Sequence, residues 1–381
     1  MKRWNPYFFR KQGEELNYNK NYLDKLIQIG SQIDSKLTPV IFSLSHLCKL
    51  ASVSYQEMHD IIARKNFTSF GYPYRNFTIR KRSGGYRWIS VPCPSLMIIQ
   101  HWIASEILRQ MKPHQAAYAY VNNLTSPIKS HVQNHCGAKW ILKLDIEDFF
   151  GSISEKQVYK VFKNYQYPDL LSFEMARLCT KISRNRKGKK WVNDRKNNVE
   201  LSSYFSKYIG CLPQGAPTSP ALSNLVCINM DEELSLLSRN NDANYSRYAD
   251  DLCFSFYTTN RRNVYMFKKQ VCEILWKYGF QENIKKTHIV PPGARKIVTG
   301  LIINEHEPTI PREVKDNIKM HLYYAKKFGI PEHCKNKGFR SVIGFKNHLE
   351  GLINYVTSVN PEQGKKYEKA FLTLPWLNYK L

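Results

Sequence analysis

"NYSRYADDLCFSFY", residues 244–257, sets two adjacent carboxylates, Asp250 and Asp251, between two short runs that mix apolar and polar residues. In a chain of formal net charge +26, an acidic pair at the tip of a strand-turn-strand needs a reason. A solvated turn is one; a cation site is the other. Asp145, in "KWILKLDIEDFFGSI" (139–153), bears on the choice. It stands where a strand through Trp140, Ile141, Leu142 and Leu144 gives way to a helix opened by Ser154 and Gln157 in capping-box spacing. Three carboxylates converging on one sheet edge repel one another unless cations hold them. Mg²⁺ suits such a place, being hard, oxygen-seeking and usually shared with substrate phosphates. Two such ions about 4 Å apart clamp the attacking and leaving oxygens of a phosphoryl transfer. On spacing alone, the metal site and the polar turn stand level.

Composition narrows the partners. The chain has 381 residues, enough for two or three domains, and its 43% hydrophobic and 13% aromatic content is that of a globular protein. Lys and Arg number 57 against 31 Asp and Glu, an excess that points to a polyanion, with nucleic acid ahead of a membrane surface. No apolar run approaches the roughly 18 residues of a spanning helix, so no membrane partner is expected. The opening "MKRWNPYFFRKQGEELNYNK" lacks the apolar stretch of a secretory signal. Nine cysteines lie singly, with no C-x-x-C pair, which favours reduced thiols in the cytoplasm over a zinc site or disulfide framework.

Along the chain, residues 1–75 read as a helical lead-in, and "NFTIRKRSGGYRWISVP" (76–92) as a β-hairpin turning at Gly84-Gly85. Residues 95–111 carry Leu96, Ile99, Trp102, Ile103 and Ile107 at helical spacing, with Ser95 as the expected cap. "TSPALSNLVCINMDEELSLL" (218–237) predicts a helix capped by Ser219 with Pro220 at its first position. A helix over Val271–Tyr278, a strand at "KIVTGLII" (296–303) and C-terminal helices follow. The order predicts an α+β fold, its mostly antiparallel central sheet covered on one face by helices. Between Arg184 and Lys196, "RNRKGKKWVNDRK" has seven basic residues against one acid. A solvated loop and a nucleic-acid contact are its two readings.

Two further stretches carry chemistry. "LPQGAPTSP" (212–220) combines Gln214, a hydrogen-bonding side chain, with Gly215, which permits close backbone approach, although a Pro-rich loop explains it as well. "RKRSGGYR" offers Lys81 and Arg87 on a small hairpin suited to gripping a triphosphate. Taken together and in order, "LDIEDFF" (144–150), "LPQGAPTSPALSNL" (212–225) and "YADD" (248–251) resemble the palm motifs of reverse transcriptases. The basic hairpin resembles that family's fingers motif, "NIKKT" (283–287) its lysine-bearing motif, and "RKIVTGLII" (295–303) its primer grip. The resemblance covers residues 75–305 and is nearest to the bacterial retron enzymes, through the triplet Val298, Thr299, Gly300. Those enzymes carry Asn-Ala-x-x-His before the first palm strand; here "HVQNH" (131–135) keeps only His135.

The resemblance implies a right-hand polymerase: an N-terminal helical region over 1–75, fingers over 76–137, a palm with an antiparallel sheet over 138–304, including a basic insertion at 184–204, and a helical thumb over 305–381. It makes Asp145, Asp250 and Asp251 the ligands of two Mg²⁺ ions, with Mn²⁺ as a substitute. Lys286, or its neighbour Lys285, becomes the proton donor to pyrophosphate. Lys81, Arg87, Gln214 and Gly215 would hold the deoxynucleoside triphosphate, and Phe150 would be the ring that excludes a 2′-OH. Either Phe149 or Phe150 could instead be core. His135, Arg295, Lys296 and Thr299 would meet RNA or primer. His306, His321, His333 and His348, lacking ligand spacing, read as surface or core residues.

The partners implied are a structured non-coding RNA that is both template and primer, and its branched msDNA product started from a guanosine 2′-OH. A separate effector protein in anti-phage defence is implied as well. Residues 305–381 leave no room for a nuclease besides the thumb, so host RNase H is the expected remover of template. Another bacterial reverse transcriptase, of group II intron-like or diversity-generating type, and a non-catalytic RNA-binding scaffold are the alternatives.

Overall fold

The computed structural model describes residues 4–64, 73–81, 84–122, 124–182 and 209–376; the basic segment 184–196 and the whole expected insertion over 184–204 lie outside them. In chain order come α1 (Pro6–Glu15), α2 (Lys20–Asp34), α3 (Leu44–Ala51), α4 (Tyr55–Ala63), β1 (Tyr74–Arg80), β2 (Tyr86–Pro92) and α5 (Pro94–Trp102). Next are α6 (Pro127–Gln133), β3 (Trp140–Asp145), α7 (Phe149–Ser152), α8 (Glu155–Asn164), α9 (Asp169–Leu178), α10 (Ser219–Val226) and α11 (Ile228–Arg239). Then follow β4 (Ala243–Tyr248), β5 (Asp251–Phe256), α12 (Arg261–Lys277), β6 (His288–Val290), β7 (Ile297–Val298) and β8 (Leu301–Ile302). Four helices close the chain: α13 (Arg312–Phe328), α14 (Ile330–Lys337), α15 (Val342–Val359) and α16 (Pro361–Leu372). The class is α+β, as expected.

Contacts divide the chain into two compact units, each built from three stretches: Met1–Gln115, Ile146–Glu233 and Glu273–Gln281; and Ala116–Asp145, Leu234–Cys272 and Glu282–Leu381.

The first unit packs its helices beside the β1–β2 hairpin. The α8 N-terminus carries the expected capping box, Ser154 and Gln157 each satisfying the other's backbone amide. Just inside it, Glu155 is fully buried between two arginines. Arg177 Nε stands 3.3 Å from one carboxylate oxygen, while Arg64, Thr180 and the Gly210 amide donate to the other. Burial alone would raise the Glu155 pKa, but the charges of Arg64 and Arg177 outweigh it and hold the group below its ordinary value. Lys181 and Cys211, on either side of the undescribed stretch, exchange backbone bonds of 3.0 and 2.9 Å.

Two expected caps prove otherwise. α5 begins at Pro94, so Ser95 lies inside it and its hydroxyl donates to Glu57. α10 begins at Ser219, whose hydroxyl bonds the Pro213 carbonyl at 2.7 Å instead of capping. In both cases a proline, lacking an amide hydrogen, fixes the first turn without a side-chain cap. The helix expected through 111 is α5 followed by a widened π turn over Ile103–Ile107, with both isoleucines buried, and a 3₁₀ turn.

The second unit holds the main sheet, ordered β4-β5-β3-β6 and antiparallel throughout. β5 is central and buried from Leu252 to Phe256, with Leu252, Phe254 and Phe256 on one face and the smaller Cys253 and Ser255 on the other. α12 starts at Arg261, ten residues before the stretch its apolar spacing marked. The strand expected over 296–303 is two strands, β7 and β8, folded back at Thr299 and Gly300. Both turn residues have positive φ, +44° and +85°, the requirement of a tight two-residue hairpin. Around α13 to α16 a core forms from Ile318, Phe345, Leu349, Ile353 and Trp376. His321, His333 and His348 gather in it: His321 Nδ1 meets His333 Nε2 at 2.8 Å, and the His348 ring is 5.8 Å away.

Candidate active site

In the second unit, Asp145 ends β3 and Asp251 begins β5, and the two are cross-strand partners. Tyr248 pairs with Asp251 from the other side, so Ala249 and Asp250 form the loop between β4 and β5. The three carboxylates therefore share one sheet edge through strand register. Asp145 is buried, at 5% exposure, while Asp251 is open to solvent on its outer side. Loss of solvent on the protein side, then Asp250, then Asp145 push the Asp251 pKa up to about 6; Lys143 and Lys286 partly oppose them.

Lys286 Nζ donates to Asp145 Oδ2 at 2.7 Å, and Asn283 Nδ2 donates to Oδ1 at 3.1 Å. The Asn283 amide also bonds the Asp145 carbonyl at 2.7 Å. The bond to Asp145 raises the Lys286 pKa, keeping the ammonium charged. Of the two candidate lysines, it is Lys286 that reaches the site. Two neighbours were missed in the sequence. Asn283 opens the lysine-bearing motif three residues before Lys286, and Lys143 interrupts an otherwise apolar strand, donating to the Ile297 carbonyl at 2.8 Å.

Among the described residues, no group of three His, Cys, Asp or Glu side chains is placed to cage a metal by itself. A hard divalent cation needs no such cage; Mg²⁺ characteristically takes one or two carboxylates and completes its shell with water and phosphate oxygens. The donor set fits that pattern. An ammonium already sits on Asp145, and Asp251 carries charge that its own neighbours disfavour.

The expected RNA- or primer-contacting residues also fall in this unit, in different settings. Arg295 is exposed and pairs with Glu313 through two bonds of 2.9 and 3.1 Å. Lys296 is half-buried beside it, its ammonium on the Ala294 carbonyl at 3.4 Å. Thr299 holds the strained hairpin turn with its hydroxyl buried and unpaired, while Tyr355 on α15 donates to the Gly300 carbonyl. His135 is a correction. Its side chain is fully buried, Nδ1 on Ser255 Oγ at 2.9 Å and Nε2 on Ser246 Oγ at 2.6 Å, so no face remains for RNA. Ser246 Oγ also meets His131 Nδ1 at 2.8 Å. Burial, joined at His135 by the His131 charge, brings both imidazoles down to about 3 and keeps them neutral.

The remaining candidates lie in the first unit. Lys81 and Arg87 are exposed on the β1–β2 hairpin, where Arg87 opposes Ile79. The Ser90 amide bonds the Gln214 carbonyl at 2.7 Å, tying the hairpin root to the 212–220 loop. Gly215 has φ of +113°, and a Cβ there would fall 2.8 Å from Ile89 Cγ2. The close approach its glycine permits is to the protein's own β2. Phe149 is buried against Phe280, and Phe150 is half-buried against Phe149. Phe149 is the core residue of that pair.

Comparison with known proteins agrees in kind. Residues 79–319 match the family described as reverse transcriptase (RNA-dependent DNA polymerase). The chain is 30% identical over 308 residues to the Retron Ec83 reverse transcriptase of Escherichia coli, covering 78% of this chain and 86% of that one. It is 27% identical over 332 residues to the Retron Ec86 reverse transcriptase of the same organism, covering 86% and 92%. To the Retron Mx162 reverse transcriptase of Myxococcus xanthus it is 29% identical over 307 residues, 77% of this chain but only 59% of that longer relative.

Proposed function

Because the chain belongs to the reverse transcriptase family, the RNA-dependent DNA polymerases, and within it to the retron enzymes, we propose that it copies a structured non-coding RNA into msDNA at the Asp145, Asp250 and Asp251 edge. The observation that carries this reading is the cross-strand pairing of Asp145 with Asp251 beside the loop that holds Asp250. Those three residues would hold two Mg²⁺ ions, which when bound supply charge neutralisation at the α-phosphate and pyrophosphate and lower the pKa of the attacking hydroxyl.

The chain's own groups do the rest. Asn283 fixes the rotamer of Asp145. Lys286 neutralises Asp145 while no cation does, and its protonated ammonium is then available to the departing pyrophosphate. Lys81 and Arg87 grip the triphosphate, with Gln214 and Gly215 at the hairpin root. Phe150, backed by Phe149, stands under the sugar. Arg295, Lys296 and Thr299 guide the primer and RNA strand. The working location is the bacterial cytoplasm, and the setting is a defence system with a separate effector and host RNase H.

Asp250→Asn tests the assignment. DNA synthesis on the cognate RNA should fall at least a thousandfold, on the order seen when an essential charge-stabilising group is removed, with RNA affinity unchanged. Extension at wild-type rate would sink it.

A further inference from the structure

Behind the acidic edge lies a buried arginine. Arg247 sits in β4 opposite Leu252 of β5 and exposes none of its surface. Its backbone is gripped from the far side of β4: the amide donates to the Ala116 carbonyl at 2.7 Å, and the carbonyl accepts from the Tyr118 amide at 2.9 Å. The side chain turns toward the loop, where Nη1 donates to the Ala249 carbonyl at 3.1 Å.

Ala249 is where the loop is strained. It is the first residue of a two-residue connection and takes φ of +58°, a conformation that glycine adopts freely and a Cβ penalises. Such a residue persists when its surroundings over-determine the turn. Burying a guanidinium is itself unfavourable unless its donors are used. The Ala249 carbonyl is where these two features meet. Ser246, the next residue back, is meanwhile braced by His131 and His135.

We propose that Arg247 is a positioning residue that holds the Ala249–Asp250 peptide, and so sets the separation and angle at which Asp250 and Asp251 meet divalent cations. This rests on the cation reading of the site given above. Arg247 itself contacts no reacting atom.

Arg247→Met tests it, because an apolar side chain of similar length removes the bond to the Ala249 carbonyl while filling much of the same volume. Mn²⁺ alone is titrated into the free enzyme and followed by electron paramagnetic resonance. Affinity should weaken about tenfold or more, the usual cost of losing a group that orients metal ligands. The Mg²⁺ concentration for half-maximal DNA synthesis should rise in step, with the KM for template-primer unchanged. Adding Ala249→Gly, which removes the strain, should recover most of the lost Mn²⁺ affinity. Arg247→Lys, which keeps the charge but not the planar fork, should show the same weakening, and serves if the methionine variant does not fold. Unchanged Mn²⁺ affinity in both variants, or a loss that follows Tm and is not recovered by Ala249→Gly, overturns the proposal. A wild-type enzyme that neither binds Mn²⁺ nor needs a divalent ion overturns the cation reading itself.

Discussion

Phe150 and Phe149 differ in burial, which adjacent identical residues cannot declare in a sequence. Phe149 is anchored on Phe280, leaving Phe150 half-exposed at the start of α7. Phe150→Ala should therefore leave Tm little changed while discrimination against ribonucleotides falls about tenfold or more, roughly 1.4 kcal/mol of differential barrier. Single-nucleotide incorporation with paired ribo- and deoxynucleotides measures it, and unchanged selectivity would place the sugar gate elsewhere. At this scale the sequence was most legible where residue type and order were both distinctive, as in Asp145, Asp250 and Asp251. It could not separate Lys286 from Lys285, because that depends on which side of a turn faces Asp145. His135 was misread for a related reason: a histidine near a basic surface and one buried on two serines look alike until strand packing is known.

Among elements, the hairpin β4–β5 depends on neutral imidazoles beneath it. His131 and His135 have folded pKa values near 3, well below the unfolded 6.5. A base depressed in this way contributes stability that is present above pH 6.5 and lost as pH falls, since only the unfolded chain takes up the proton. Each imidazole adds a slope of about 1.4 kcal/mol per pH unit over that window. Urea unfolding at pH 5 and pH 7 should show the loss, and His135→Gln should roughly halve it; an equal pH response in the variant would contradict the buried-neutral assignment. In the first unit, Glu155→Gln removes the carboxylate that Arg64 and Arg177 share. It should destabilise by about 3–5 kcal/mol, as broken buried pairs do, read from the same unfolding curves. Elements with redundant local signals were legible, the capping box of α8 above all. The caps of α5 and α10 were not, because proline can start a helix where a serine beside it appears to offer the same service.

For the molecule as a whole, the excess of 57 basic over 31 acidic residues is the term that sets nucleic-acid affinity. The logarithm of RNA affinity should fall linearly with the logarithm of salt, each phosphate contact adding a slope of roughly −0.7 to −0.9. Filter binding from low to moderate salt checks this, and a flat response would undercut the electrostatic account. The sequence reads as four successive regions, whereas compactness groups the chain into two interleaved units. The interleaving follows from the main sheet, whose strands come from residues 140–145, 243–256 and 288–290. Pairing across such separations leaves no local trace in the chain.

The Arg64–Glu155–Arg177 cluster also bears on descent. Loss of Glu155 removes the carboxylate that both guanidinium groups share, whereas loss of either arginine leaves Glu155 paired with the other. The three positions are therefore unequal in descent: homologues should keep an acid at position 155 wherever they keep either arginine.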